Sequence, residues 1–185
     1  MNDITSAGWF LPAAGAAVLL LGLVAWRWFA RRKSPLQKAI SAISFDEMRD
    51  LVIPSADEGE IHIDKLLLTS QGLLIVEVKD VRGNVFGSDK MSDWTVMAED
   101  RRFTFSNPQP ALYDRIAAVR QIVRQVPVEG RVLFLEGAEF TKGVPSLACT
   151  LEQLVEEFGE PDMEAARSKV EAFKPHWELV RKAAG

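Results

Sequence analysis

Asp64, Glu77 and Lys79 are the residues of this 185-residue chain whose types and spacing point most directly to chemistry. Only Val78 separates Glu77 from Lys79, and both follow the apolar run Leu73-Leu74-Ile75-Val76. Side chains two apart on a strand share a face, so the acid and the lysine project together while Val76 and Val78 point into a core. Asp64 lies in the preceding run, Ile61 to Thr69, and Ser70-Gln71-Gly72 between the runs is a turn signal. A hairpin built this way brings Asp64 to the side of Glu77 and Lys79. Charges on so apolar a sheet need partners, because burying them alone is costly.

Two carboxylates on adjacent strands form half of an oxygen-ligand site for Mg²⁺ or Mn²⁺, ions that keep several waters and also take phosphate oxygens. The backbone carbonyl of Val78 supplies a further ligand between them. Such an ion polarises phosphate and lowers the pKa of water bound to it, and Lys79 beside it orients the attacking water or stabilises developing charge. The chemistry expected is phosphodiester hydrolysis, with Asp64, Glu77 and Lys79 catalytic and Asp64, Glu77 and Val78 holding metal. Glu60 and His62 alternate onto the face of Asp64, which makes His62 an auxiliary candidate, as a supporting partner or proton shuttle. The competing reading of the same residues is a structural ion-pair network on a solvent-facing sheet.

The elements that must position these residues can be traced along the chain. Ser34 suits an N-cap and Pro35 the first position of a short helix through Ile43. Arg49 to Ile53 reads as a strand closed by Pro54, and the two strands of the hairpin follow. Gly83 and Gly87 bracket a short strand, Asn84-Val85-Phe86. Trp94 to Phe105 reads as a further hairpin around Ala98-Glu99-Asp100-Arg101, with Trp94 a core anchor. Ser106-Asn107-Pro108 opens a helix to about Val126, whose Leu112, Ile116, Val119 and Val123 keep helical spacing. Arg131 to Leu135 is a buried strand. Thr150-Leu151-Glu152-Gln153 is a capping box for another helix, and the tail from Asp162 to Ala184 is helical with a break expected at Lys174-Pro175. This order implies an α/β core.

Ahead of the core, Ala7 through Trp26 carries no charge, and the apolar run continues to Trp28 with Arg27 alone interrupting it. Roughly twenty such residues suffice to cross about 30 Å of hydrocarbon as a helix. Trp9 marks one end and Trp26 and Trp28 the other, as interfacial aromatics do. Arg27, Arg31, Arg32 and Lys33 follow the run and only Asp3 precedes it. The positive-inside bias therefore places the N-terminus outside and the rest at the cytoplasmic face of a plasma or inner membrane. Removing those five residues from 22 basic and 26 acidic ones leaves 18 and 25, a balance of −7. That argues against broad electrostatic binding of nucleic acid, so arginines on the long helix (Arg115, Arg120, Arg124) read as solvated before they read as phosphate contacts. A single cysteine, Cys149, excludes a disulfide framework and a thiolate metal site.

The arrangement of Asp64 before Glu77-Val78-Lys79 on consecutive strands resembles the PD-(D/E)xK nuclease superfamily. More narrowly, Ile63-Asp64-Lys65-Leu66-Leu67-Leu68-Thr69, Gly72 and Leu73 to Lys79, with Gly83, Trp94 and Asn107-Pro108, resemble the nuclease-related domain. The resemblance covers roughly Leu36 to Glu157. It implies a restriction-endonuclease-like mixed sheet flanked by helices, here preceded by one transmembrane helix. Three segments follow: an anchor over 1–33, a nuclease-related domain over 34–158 and a helical extension over 159–185. It also implies Mg²⁺ or Mn²⁺ as cofactor and nucleic acid, DNA before RNA, as partner.

The chain departs from the family pattern at two places. Where members carry a Gly-Glu pair on the first helix it has Leu36-Gln37, and Asn-Pro-x-x-Gln becomes Asn107-Pro108-Gln109-Pro110-Ala111. Gln37 and Gln109 are thus auxiliary candidates, Gln37 toward a metal-bound water and Gln109 either in the site or as a helix cap. Two functions stay open on the sequence: a membrane-tethered, metal-dependent nuclease, or a nuclease-like binding or scaffold module without turnover. Oligomeric state is open as well.

Overall fold

The computed structural model describes residues 34–54, 59–160 and 162–184. Its first element, α1 (Pro35–Ile43), begins at the proline, whose fixed φ and missing N–H suit a first helical turn. Strands β1 (Asp46–Pro54), β2 (Glu60–Thr69) and β3 (Gly72–Lys79) then form an antiparallel meander. The β2–β3 turn needs Gly72, which has φ +132°, and a Cβ there would lie 2.4 Å from the Pro127 carbonyl oxygen. Strands β4 (Gly83–Phe86), β5 (Asp93–Met97) and β6 (Arg102–Ser106) follow, and then helix α2 (Gln109–Ile122). The chain continues through β7 (Val128–Phe134), β8 (Ala138–Glu139), β9 (Ala148–Thr150), α3 (Leu151–Phe158) and α4 (Met163–Ala183).

Two mixed sheets result. The larger has the order β1-β2-β3-β7-β9, with β7 parallel to both β3 and β9. The smaller has the order β6-β5-β4-β8, antiparallel except for β4 beside β8. Alternation along the central strands feeds two cores. Leu66, Leu68, Leu73 and Ile75 meet Leu112, Ile116 and Val119 of α2 and Trp177 and Val180 of α4. Leu67, Leu74 and Val76 meet Ile40 and Ile43 of α1 and Leu154 and Phe158 of α3. A sheet covered on both faces explains why its central strands read as unbroken apolar runs. The architecture, two mixed sheets flanked by helices, fits a nuclease-like fold.

Trp94 is fully buried, donates from Nε1 to the Ser88 carbonyl at 3.1 Å and stacks on Phe134, so it is the core anchor its sequence context suggests. Cys149 is buried, and desolvation pushes its thiol up to about 12, which leaves it an inert core residue. The capping box at α3 is formed, with Gln153 N donating to Thr150 Oγ1 and Thr150 N to Gln153 Oε1.

Several boundaries differ from the sequence reading, among them β1, which begins at Asp46 and not Arg49. α2 stops at Ile122, not near Val126, because Val123 is already extended and the apolar Val123 and Val126 turn into the core ahead of Pro127. Strand β7 accordingly begins at Val128, before Arg131. The break expected at Lys174-Pro175 does not occur, and α4 runs through Pro175. Val170 on one side of the proline and Trp177 and Val180 on the other bury into the same core, which holds the axis against the missing backbone bond. The span from Ala7 to Trp28 lies outside the described residues. Among the described residues no helix is long and apolar enough to cross a membrane.

Candidate active site

Parity along β3 fixes where its charges go. Leu73 and Ile75 face the α2 side, so Glu77 and Lys79, at the same parity, continue that row toward α2. Lys79 Nζ lies 2.7 Å from Glu77 Oε1. The other oxygen, Oε2, accepts from Arg115 Nη1 at 3.2 Å, and Arg115 Nε donates to the His62 carbonyl at 2.7 Å. Glu77 keeps 13 % of its side chain exposed, against 30 % for Lys79 and 25 % for Arg115. One half-buried carboxylate is therefore shared by two cations from different elements, the arrangement that makes burying it tolerable.

Asp64 sits where two strands lose their alternation together. On β2, Ile61 and Ile63 join the same core as Leu66 and Leu68, so parity switches across Asp64-Lys65. On β1, Met48 and Leu51 switch across Arg49-Asp50, and Asp50 takes φ +52°, a left-handed conformation that Asp tolerates better than most residues. The β1–β2 ladder pairs Arg49 with Lys65 and Leu51 with Ile63 but skips the facing Asp50 and Asp64. The β2–β3 ladder ends at Leu66 opposite Ile75, and the same register carried two residues on would face Asp64 with Glu77. Simple alternation along β2 does not survive this kink. Asp64 is exposed and has no hydrogen bond or ion pair with the described residues, so it is a carboxylate at the open end of the hairpin.

The auxiliary candidates fall in different places. His62 is exposed and enters the site through its backbone carbonyl. Gln37 Oε1 accepts from Arg49 Nη2 at 3.0 Å, and α1, which carries it, packs on the sheet face opposite the Glu77 row. Gln109 is 3 % exposed and both ends of its amide are used. Nε2 donates to Asp89 Oδ1 at 3.1 Å, and Oε1 accepts from Leu147 N at 3.0 Å and Ser146 Oγ at 3.4 Å. Its own N–H bonds Asn107 Oδ1 at 3.0 Å. Gln109 thus clasps the loop after β4 and the loop before β9 to the start of α2. The Ser146 N–H, followed by Gln109, holds the Asp89 carboxyl below the usual carboxylate range. Arg115 is the site residue that sequence reasoning set aside. Its signal was its place on α2 facing β3, legible only once the parallel β3–β7 pairing sets α2 over that strand.

On the α1 face of the sheet, opposite Leu67, Glu47 binds Arg49 at 2.7 Å and Lys65 at 3.4 Å, and the Arg49 hydrogen bond leads in drawing its carboxyl down. Among the described residues no group of three or more His, Cys, Asp or Glu converges to hold a metal. What Asp64, Glu77 and the Val78 carbonyl offer is a small hard-oxygen set, the kind Mg²⁺ completes with waters. An ion at these oxygens would meet one obstacle. Both oxygens of Glu77 are occupied by cations, and at least one must be displaced.

A family model, the nuclease-related domain (NERD), matches residues 31–135. An uncharacterized protein of Bacillus anthracis is similar, 30% identical over 64 residues that make up 35% of this chain and 30% of that protein. The chain thus spans about a third of that relative's length. No solved structure matches. The family match covers α1 through β7 and with them every residue of the Glu77 cluster, so the chain belongs to the nuclease-related domain family.

Proposed function

We propose that the protein is a metal-dependent nuclease with a restriction-endonuclease-like core, hydrolysing phosphodiester bonds of nucleic acid, DNA before RNA. The observation that carries this reading is the Glu77–Lys79 pair, side by side at the end of β3, with the exposed Asp64 on the neighbouring strand β2. Asp64, Glu77 and the carbonyl of Val78 would hold Mg²⁺ or Mn²⁺, which when bound supplies Lewis-acid stabilisation of phosphate charge. The chain's own residues do the rest. Lys79 holds and orients the attacking water by donating to it, and its charge offsets what builds up on the phosphate oxygens. Half-burial of Glu77 strengthens each of these contacts by lowering the local dielectric. The apolar run from Ala7 to Trp28 with its basic flank would tether this domain at the cytoplasmic face of a membrane.

A second reading has its own support. The first helix offers Gln37 in place of an acid, and Glu77 is already neutralised by two cations. A nuclease-like module that binds at the membrane without turnover accounts for both. One assay separates the two: the full chain and its Lys79→Ala form, incubated with Mg²⁺ on single-stranded DNA, duplex DNA and RNA. The nuclease reading expects cleavage that falls about 100-fold or more in the variant. Equal behaviour of the two proteins removes Lys79 from catalysis.

A further inference from the structure

Arg115 is bound in a way that gives its two ends different duties. Nε is tied to a backbone carbonyl, that of His62, at 2.7 Å. Nη1 is tied to Glu77 Oε2 by the longer contact, 3.2 Å against 2.7 Å, on the carboxylate that a metal would need. A guanidinium carries five donors in a planar fork, and two are spent here, which leaves a face that matches a phosphate.

Charge bookkeeping favours an exchange. Glu77, Lys79 and Arg115 sum to one positive charge, and Asp64 brings the group to neutrality. A divalent cation arriving alone meets two resident cations competing for Glu77. A phosphodiester arriving with it offsets one of its two charges and offers Arg115 a better-shaped partner than the carboxylate edge it holds. Resting on the nuclease reading, we propose that Arg115 is an exchange cation: it neutralises Glu77 in the metal-free protein and passes its Nη end to a backbone phosphate of bound nucleic acid, freeing the carboxylate for the divalent ion. Nε on the His62 carbonyl is the pivot. Metal and nucleic acid then bind with positive coupling, each favouring the other.

The test uses the full chain and binding alone. Mn²⁺ titrations are followed by the paramagnetic signal of the free ion, and binding of a labelled oligonucleotide is followed in EDTA, where no turnover occurs. Arg115→Gln is expected to tighten Mn²⁺ binding about tenfold. The same change is expected to weaken the oligonucleotide about five- to tenfold and to lower the salt dependence by about one phosphate contact. Glu77→Gln, which releases Arg115, should strengthen oligonucleotide binding in EDTA, and the double variant should lose that gain. Arg115→Met keeps the aliphatic stem and replaces the glutamine variant should that one melt early. Mn²⁺ uptake that depends on Glu77 but is indifferent to Arg115 overturns the exchange while leaving the nuclease reading intact. Changes of the same sign in both titrations also overturn it. Absence of any Glu77-dependent Mn²⁺ uptake overturns the nuclease reading itself, and the exchange with it.

Discussion

Arg115 Nη1 and Glu77 Oε2 lie 3.2 Å apart, joining the middle of α2 to the end of β3 across 38 residues of sequence. The contact ties a helix whose inner face is Leu112, Ile116 and Val119 to the strand that carries the candidate chemistry. Helix placement and site charge are therefore one problem. Displacing α2 moves the cation that sets the state of Glu77.

Gly130 is where that placement is most sensitive. A Cβ on it would lie 2.8 Å from Leu112 Cδ1 and 2.9 Å from Ile116 Cδ1. Those atoms end flexible side chains, so α2 shifts instead of the strand breaking. Gly130→Ala should cost about 1–3 kcal/mol, the range for overpacking a close contact. At about 2–4 °C per kcal/mol for a chain of this size, a melting curve resolves the loss. An unchanged midpoint would show that α2 does not pack as closely as its contacts indicate.

Gln109 is predicted to matter for stability and not for metal. Gln109→Ala removes the partner of the Leu147 N–H and of Asp89 at a buried position. Leaving the half-buried Leu147 N–H unsatisfied costs about 1–3 kcal/mol, whereas the exposed Asp89 keeps its bond from Ser146 N. Thermal unfolding should register that loss while Mn²⁺ affinity of the folded variant stays within about twofold of the parent, since no Gln109 atom bonds Asp64, Glu77 or Lys79. A large fall in metal affinity at unchanged stability would return Gln109 to the site.

Acid sensitivity should pass partly through Glu47. Its folded carboxyl is depressed below 4.5, chiefly by the Arg49 hydrogen bond, so its contribution is complete above that value and fades as pH falls through the folded pKa. Arg49 is half exposed, so solvent screening keeps the contribution of the pair small. Glu47→Gln should lower the melting midpoint by about 1–2 °C at pH 7 and converge with the parent below the carboxylate range. A gap of constant size from pH 7 to pH 3 would contradict the assignment.

Most of the fold was legible because the local signals agree. Pro35 at a helix start, Gly72 at a hairpin turn and the Thr150–Gln153 capping box each formed as their residue types suggest. Glu77 and Lys79 share a face as their spacing requires. What escaped depends on partners distant in sequence. The kink at Asp64 is matched by Asp50 on the neighbouring strand, and no periodicity within β2 alone announces it. Arg115 acquires a role only when β7 pairs parallel to β3. Gln109 finds Asp89 and Leu147, 20 and 38 residues away, and α4 stays continuous through Pro175 because the core on both sides holds it.

The role of Glu77 as a metal ligand is tested most directly by a calorimetric titration of Mg²⁺ and Mn²⁺ into the full chain and its Glu77→Gln form. Saturable binding by the parent and its loss in the variant are expected, with both proteins folded by circular dichroism. Binding that is absent from the parent, or that persists unchanged without the Glu77 carboxylate, would contradict that role.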